Sequence, residues 1–270
     1  MENLNLEALV AKFAKKHEKE TTLFELSDLK NESLTQSKLG GLPYLTSRQD
    51  IPIAKHNGKQ MRLLFQINFE DLKEDPKYPD QGILQIWLTQ EDDLFGMNFE
   101  DPTLQENWRI YYYPEVEEKL TLEEVRSMLE VIEGANYPLD KSYAISVKER
   151  TFTSVSPTNF DYEELLEAFL EEEMLSLTED EIDSFADVLY DEPYTLFETK
   201  TGGYPNFTQT DPREYLVGVE DYTEVLFTLD SDSDPENIII GDSGIMNFMI
   251  TPEDLANLDF TKVFYTWDCY

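Results

Sequence analysis

The sequence predicts an α+β fold: two similar, mainly antiparallel β units with surrounding helices, related by a pseudo-twofold. Three observations predict it. Residues 38–43 read Lys-Leu-Gly-Gly-Leu-Pro and residues 200–205 read Lys-Thr-Gly-Gly-Tyr-Pro, 162 positions apart. The same offset carries Leu64-Phe65-Gln66-Ile67 onto Leu226-Phe227-Thr228-Leu229, and Asp80-Gln81-Gly82-Ile83 onto Asp242-Ser243-Gly244-Ile245. It also carries Thr89, Glu91 and Asp92 onto Thr251, Glu253 and Asp254, the signature of an internally duplicated unit. Between the copies lies a stretch whose apolar residues recur at helical spacing.

The elements follow in order. Residues 2–18 carry Leu6, Leu9, Val10, Phe13 and His17 on one helical face, opposite Lys and Glu, which predicts an amphipathic helix that docks on the body of the protein. Residues 21–37 are mixed, with one short apolar stretch at Leu23-Phe24. Each copy then opens on a Gly-Gly-x-Pro turn, where Gly supplies positive φ and Pro fixes the following step. Two apolar strands follow, at 63–67 and 83–88 in the first copy and at 225–229 and 245–250 in the second. They are too continuously apolar for a sheet with one wet face, so both faces are expected to be covered. The short turn-rich loop between them favours antiparallel pairing. An aromatic strand closes each copy, at 108–113 and 262–267; matching Tyr111 to Phe264 gives an offset of 153, so the connecting loop is shorter in the second copy. The insert opens on Thr121-x-x-Glu124, a capping box, followed by the stripe Val125, Met128, Leu129 and Ile132. A strand is predicted at 143–147, a second helix around Leu165, Leu166, Phe169 and Leu170, and a third after Thr178-x-x-Glu181. The divisions are therefore 1–37 as a lead-in, 38–120 as the first copy, 121–193 as the helical insert and 194–270 as the second copy. A core shared between the copies is expected, because each copy alone is short of buried area.

The formal net charge of −36 is extreme and unevenly spread. Residues 1–150 carry 28 acids and 18 bases; residues 151–270 carry 29 acids and only Lys200, Arg213 and Lys262. No Lys or Arg occurs from Thr151 to Thr199. Such a surface repels nucleic acid and anionic membranes and attracts basic partners. Most of the charge reads as solvated helix faces. No run of about 18 apolar residues is present to span a membrane, and the acidic start lacks the form of a signal peptide. With the single Cys269 no internal disulfide forms, so a cytoplasmic location is expected.

The chemical motifs lead to no reaction. Asp230, Asp232 and Asp234 form Asp-x-Asp-x-Asp, but Pro235 and Gly241 stand where a calcium loop needs Gly and Glu. His17, His56 and Cys269 lack the paired spacing of a zinc site. Cys269, one residue from the end, is a poor nucleophile position. The Gly-Gly turns match no nucleotide-binding loop, and Lys38 and Lys200 read as surface lysines beside them. No catalytic residue, metal ligand or cofactor is expected. The aromatic closing strands read as core rather than as base-stacking platforms.

The pattern as a whole resembles the YwqG-like family of bacterial proteins of unassigned function. The likeness rests on Lys38-x-Gly40-Gly41-x-Pro43, on residues 63–67, and on the stretch from Leu226 to Tyr270, including Gly241-Asp242-Ser243-Gly244, Asp259-Phe260 and Trp267-Asp268-Cys269-Tyr270. The resemblance implies a distant link to programmed cell death protein 2 and its relatives, which chaperone a basic ribosomal protein. It also implies proximity to toxin–immunity systems. A protein-binding role is thus expected, immunity-like or chaperone-like, masking a basic partner, with Asp230, Asp232, Asp234 and Asp242 as partner-binding acids. Two alternatives stay open: an enzyme or divalent-cation binder using the loops at Asp80 and Asp242, and a homo-oligomeric scaffold.

Overall fold

The computed structural model describes residues 5–270 except 118, 131, 133, 192 and 232–237. The fold is α+β, with one curled antiparallel sheet of ten strands and five α-helices among the described residues. In chain order the strands are β1 (Lys19–Asp28), β2 (Lys38–Leu39), β3 (Arg62–Asn68), β4 (Ile83–Leu88), β5 (Trp108–Tyr113), β6 (Tyr143–Thr153), β7 (Lys200–Gly202), β8 (Glu224–Asp230), β9 (Ile245–Ile250) and β10 (Phe264–Asp268). The helices are α1 (Leu6–Lys16), α2 (Leu122–Met128), α3 (Tyr162–Glu173), α4 (Glu179–Tyr190) and α5 (Pro252–Ala256).

Across the sheet the order is β10-β9-β8-β7-β1-β6-β2-β3-β4-β5. The central pair is β1 and β6, in register from Lys19 opposite Thr153 to Asp28 opposite Tyr143. Residues 19–28 thus form a long central strand where the sequence pattern shows only Leu23-Phe24. The predicted strand at 143–147 runs on to Thr153 for the same reason, since each extends the other. β1 comes before β2 in the chain yet pairs with β7, while β6 comes before β7 yet pairs with β2. Each strand completes the opposite group.

The hairpins β3–β4 and β8–β9 share their register. Leu63 lies opposite Trp87 and Phe65 opposite Ile86, with a bulge between; Val225 lies opposite Met249 and Phe227 opposite Phe248, with a bulge at the same place. In the closing strands the register differs from the sequence match. Tyr111 lies opposite Gln85 and Thr266 opposite Asn247, so the structural offset is 155 rather than 153; a run of aromatics offers no unique alignment.

β4 and β9 are buried at every residue, as expected for strands covered on both faces. One face builds the central core, with Leu84, Ile86 and Leu88 from β4 and Met246, Phe248 and Ile250 from β9. On the outer face, α2 and the segment around residues 42–61 cover Trp87, and Phe207, Val219 and Tyr222 cover Met249. The curl brings the ends of the sheet together. Tyr265 N donates to Pro102 O at 3.1 Å, Trp267 Nε1 to Leu94 O at 2.9 Å and Gln105 Nε2 to Phe260 O at 2.8 Å. No described helix is long and apolar enough to cross a membrane.

Candidate partner-binding groove

Three helices build a second core beside the sheet. α1 buries Leu9, Val10, Phe13 and Ala14, α3 buries Tyr162, Leu166 and Phe169, and α4 buries Phe185 and Leu189. Phe13 is the hub, meeting Tyr162, Phe169 and Phe185 edge to face at 6.2, 5.3 and 5.4 Å. The predicted capping box forms at Thr121/Glu124, and a second forms at Thr178/Glu181, where the third helix of the insert is predicted to open. They fix where α2 and α4 begin.

The last turn of α3 is Glu171-Glu172-Glu173 and holds no base. Carboxylates at a helix C-terminus oppose the macrodipole. α1 offsets two of them, through ion pairs Lys16–Glu172 and Lys12–Glu173. Glu171 points to the other side of the helix. There Glu163, Glu167 and Glu171 recur every fourth residue, each step about 6 Å along the axis, and all three are exposed. No ion pair reaches them among the described residues. They rim a groove of about 430 Å³ whose floor is Leu166, Leu170, Leu175 and Ile182. Between α3 and α4, Met174 adopts a left-handed φ of 54° and is 91% exposed beside this groove. The arrangement offers an apolar floor for anchoring and a row of unneutralised acids for a cationic edge.

The residues singled out in the sequence lie elsewhere. Asp242 is exposed in the turn before β9, where its carbonyl accepts from Tyr270 N at 3.1 Å. Asp230 ends β8 and is buried, its carboxylate acting on the Lys200 ammonium. Asp232 and Asp234 lie outside the described residues. Asp230 acts also on the C-terminal end of α4, where burial, Tyr270, Asp268 and Asp230 push the Tyr190 phenol up to about 12. The groove itself could have been suspected from the paired four-residue rows in α3, Glu163/Glu167/Glu171 beside Tyr162/Leu166/Leu170. The opposite wall depends on the placement of α4.

The two turn lysines are not surface groups. Lys38 and Lys200 are 0% and 1% exposed. Lys38 Nζ donates to Ser33 O and Leu42 O, both at 2.6 Å, and lies 3.7 Å from Glu32. Lys200 Nζ donates to Asn206 Oδ1 at 3.1 Å and Leu196 O at 3.2 Å. Burial pushes their pKa values down to about 8 and about 7. Each ammonium ties the Gly-Gly-x-Pro loop to the segment before its strand, because loop carbonyls removed from water need donors. Among the described residues no group of three or more His, Cys, Asp or Glu side chains is placed to hold a metal ion.

A family model described as a domain of unknown function, DUF1963, matches residues 37–269. The matched stretch takes in the groove helices α3 and α4 and begins after α1 and β1. A comparison with curated proteins finds no match.

Proposed function

The chain belongs to the DUF1963 family, which includes the YwqG-like proteins, and from that premise we propose that it is a cytoplasmic protein-binding module that captures and masks a basic partner. The observation that carries this reading is the acid-rimmed apolar groove between α3 and α4. The −36 charge draws a cationic partner from a distance. The groove floor then supplies the short-range contact, since desolvated apolar anchors carry most binding energy. Asp242 extends the acidic surface, with Asp232 and Asp234 in the same chain segment. The buried Asp230 adds to the field rather than to direct contact. Masking of this kind suits an immunity-like or chaperone-like role.

The same reading includes descent of the two halves from one unit about a pseudo-twofold. It is supported by the common offset of 162 and by the bulge at one place in both hairpins. The sheet order also mirrors itself about the β1–β6 pair.

The test uses a synthetic amphipathic Leu/Lys helical peptide, titrated against the full chain by fluorescence anisotropy at about 0.02 M and about 0.5 M salt. Saturable binding that weakens at the higher salt is expected. The triple variant Glu163→Lys, Glu167→Lys and Glu171→Lys should lose at least ~10-fold in affinity. A charge-matched control, Glu100→Lys, Glu115→Lys and Glu123→Lys, should lose much less. Failure to bind at low salt, or equal losses in the two triples, would overturn the assignment of the groove.

A further inference from the structure

A second concavity, a cleft of about 420 Å³, opens in the first half between α2 and the outer face of β3 and β4. Its walls include Leu42, Met61, Arg62, Trp87, Arg126 and Leu129. The volume lies in the range of small-molecule sites, roughly 300–1,000 Å³.

The second half shows how the chain treats the corresponding place. The residues 162 positions after Leu42, Met61, Arg62 and Trp87 are Tyr204, Thr223, Glu224 and Met249. There the protein supplies its own occupant. Lys19 Nζ donates to Thr223 O at 3.0 Å and lies 4.5 Å from the centre of the Tyr204 ring. Burial lowers its pKa, while the Glu224 and Asp161 carboxylates favour the charged form. An ammonium is thus lodged at this wall, held by the Thr223 carbonyl and the Tyr204 ring, while Glu224 itself pairs with Lys77 at 2.9 Å and acts on Lys19 from further off.

In the first half the wall residue is inverted to Arg62 and the space is open. The Arg62 guanidinium stacks over Tyr137 at 4.4 Å. Neither Arg62 nor Arg126 has a carboxylate within ion-pairing distance among the described residues, although other cations of the chain do. Of the two glutamates at the cleft, Glu32 is already engaged. Its Oε1 accepts from Leu42 N at 2.6 Å and lies 3.7 Å from Lys38 Nζ. Glu130 is exposed and joins the structure through its backbone N–H to Gln60. With Lys38 balancing Glu32, the cleft keeps an excess positive charge in a strongly negative protein.

We propose that this cleft binds a carboxylate carried on a compact apolar body. Arg62 and Arg126 take the carboxylate, and Trp87, Met61 and Leu129 take the body. A guanidinium matches a carboxylate by paired N–H donors. A singly charged anion also suffers least from the repulsion of the whole chain.

The test titrates the full-length protein with 3-phenylpropionate and with 3-phenylpropylamine, by calorimetry and by thermal shift. The expected result is one-to-one binding of the carboxylate, with a rise in melting temperature, and no such binding of the amine. Arg126→Ala should weaken carboxylate binding by ~10-fold. Arg62→Glu should abolish it and admit the amine, because a carboxylate then stands in the wall; Arg62→Met, which leaves no charge at that position, should bind neither. The lysine triple in α3 should bind the carboxylate as the wild type does, which separates this site from the groove. Equal binding of acid and amine to the wild type, no binding of the acid, or undiminished acid binding in both Arg62 variants would overturn the proposal.

Discussion

Phe65 and Phe227, 162 positions apart in sequence, lie ring on ring in the central core, with centroids 3.7 Å apart and planes 13° from parallel. Each occupies the position just after the bulge of its hairpin. Truncating either to alanine should cost ~3–5 kcal/mol, the usual range for a buried phenylalanine. The double variant should cost less than the two single losses together, by ~0.5–1.5 kcal/mol, because the stacking contact is lost only once. Urea unfolding of the four proteins measures this. Additive losses would mean that the two rings report on separate cores.

A second pair of contacts separated by the same 162 positions lies under the Gly-Gly-x-Pro loops. Gln85 Nε2 donates to Tyr44 O at 2.7 Å, and Asn247 Nδ2 donates to Asn206 O at 2.7 Å. Gln85 also donates to Gln66 Oε1, while Asn247 Oδ1 accepts from Thr228, both at 2.8 Å. Gln85→Leu and Asn247→Leu each leave a buried carbonyl without its donor. Each should therefore destabilise by ~1–3 kcal/mol despite the gain in apolar character. A neutral or stabilising result in thermal unfolding would show that these amides do not hold the loops.

Lys200 governs a pH dependence. Its pKa falls from 10.5 to about 7 on folding, chiefly through burial. Between those values the unfolded chain binds more protons than the folded one, so stability rises as pH rises from 7 toward 10.5. Lys38 adds to the rise from about 8 upward. Above pH 10 the trend reverses, because burial pushes the phenols of Tyr162 and Tyr204 up to about 12, and the folded state then retains protons the unfolded state loses. Unfolding free energies measured from pH 7 to 12 should pass through a maximum near pH 10. Lys200→Met should flatten the rising limb by on the order of a few kcal/mol.

Two glycines permit a matched comparison. Gly203 and Gly58 have nearly the same φ, +70° and +69°. A Cβ at Gly203 would collide with the hydroxyls of Thr21 and Thr153, whereas one at Gly58 would meet nothing within 4 Å. Both Gly→Ala variants carry the strain of a left-handed residue, about 1 kcal/mol. Gly203→Ala should cost clearly more, because Thr21 and Thr153 are themselves hydrogen-bonded at 2.9 Å and buried between strands. Equal melting temperatures for the two variants would contradict the packing at this turn.

How far the fold could be read in advance depended on where each residue's partner lies. The strands at 63–67, 83–88, 225–229 and 245–250 announce themselves because both faces are apolar. β1 does not, since Lys19-Glu20-Thr21-Thr22 looks like loop until β6 and β7 flank it. The same holds for Lys38 and Lys200. A lysine beside a glycine turn is ordinarily solvated, and only the loop carbonyls folded over these two take them out of water. The acidity of the second half was plain from composition. The division of α3 into a face neutralised by Lys12 and Lys16 and a face left charged was not, because that division depends on where α1 docks.

The crossed placement of β1 and β6 bears on how the chain reaches this state. Since β1 closes the sheet beside β7 and β6 closes it beside β2, neither hairpin group can finish its hydrogen-bond ladder while the other is unfolded. Partial opening of one half would strip a strand from its neighbour, so chemical and thermal melting should each show one transition seen alike by every probe. Folding must also join residues near 20 to partners near 150 and 200 before that gain is realised, which makes the search slow for a chain of this size. A fragment cut to residues 37–269, the span that the family model matches, would lack the strand at the middle of the sheet and should not fold by itself.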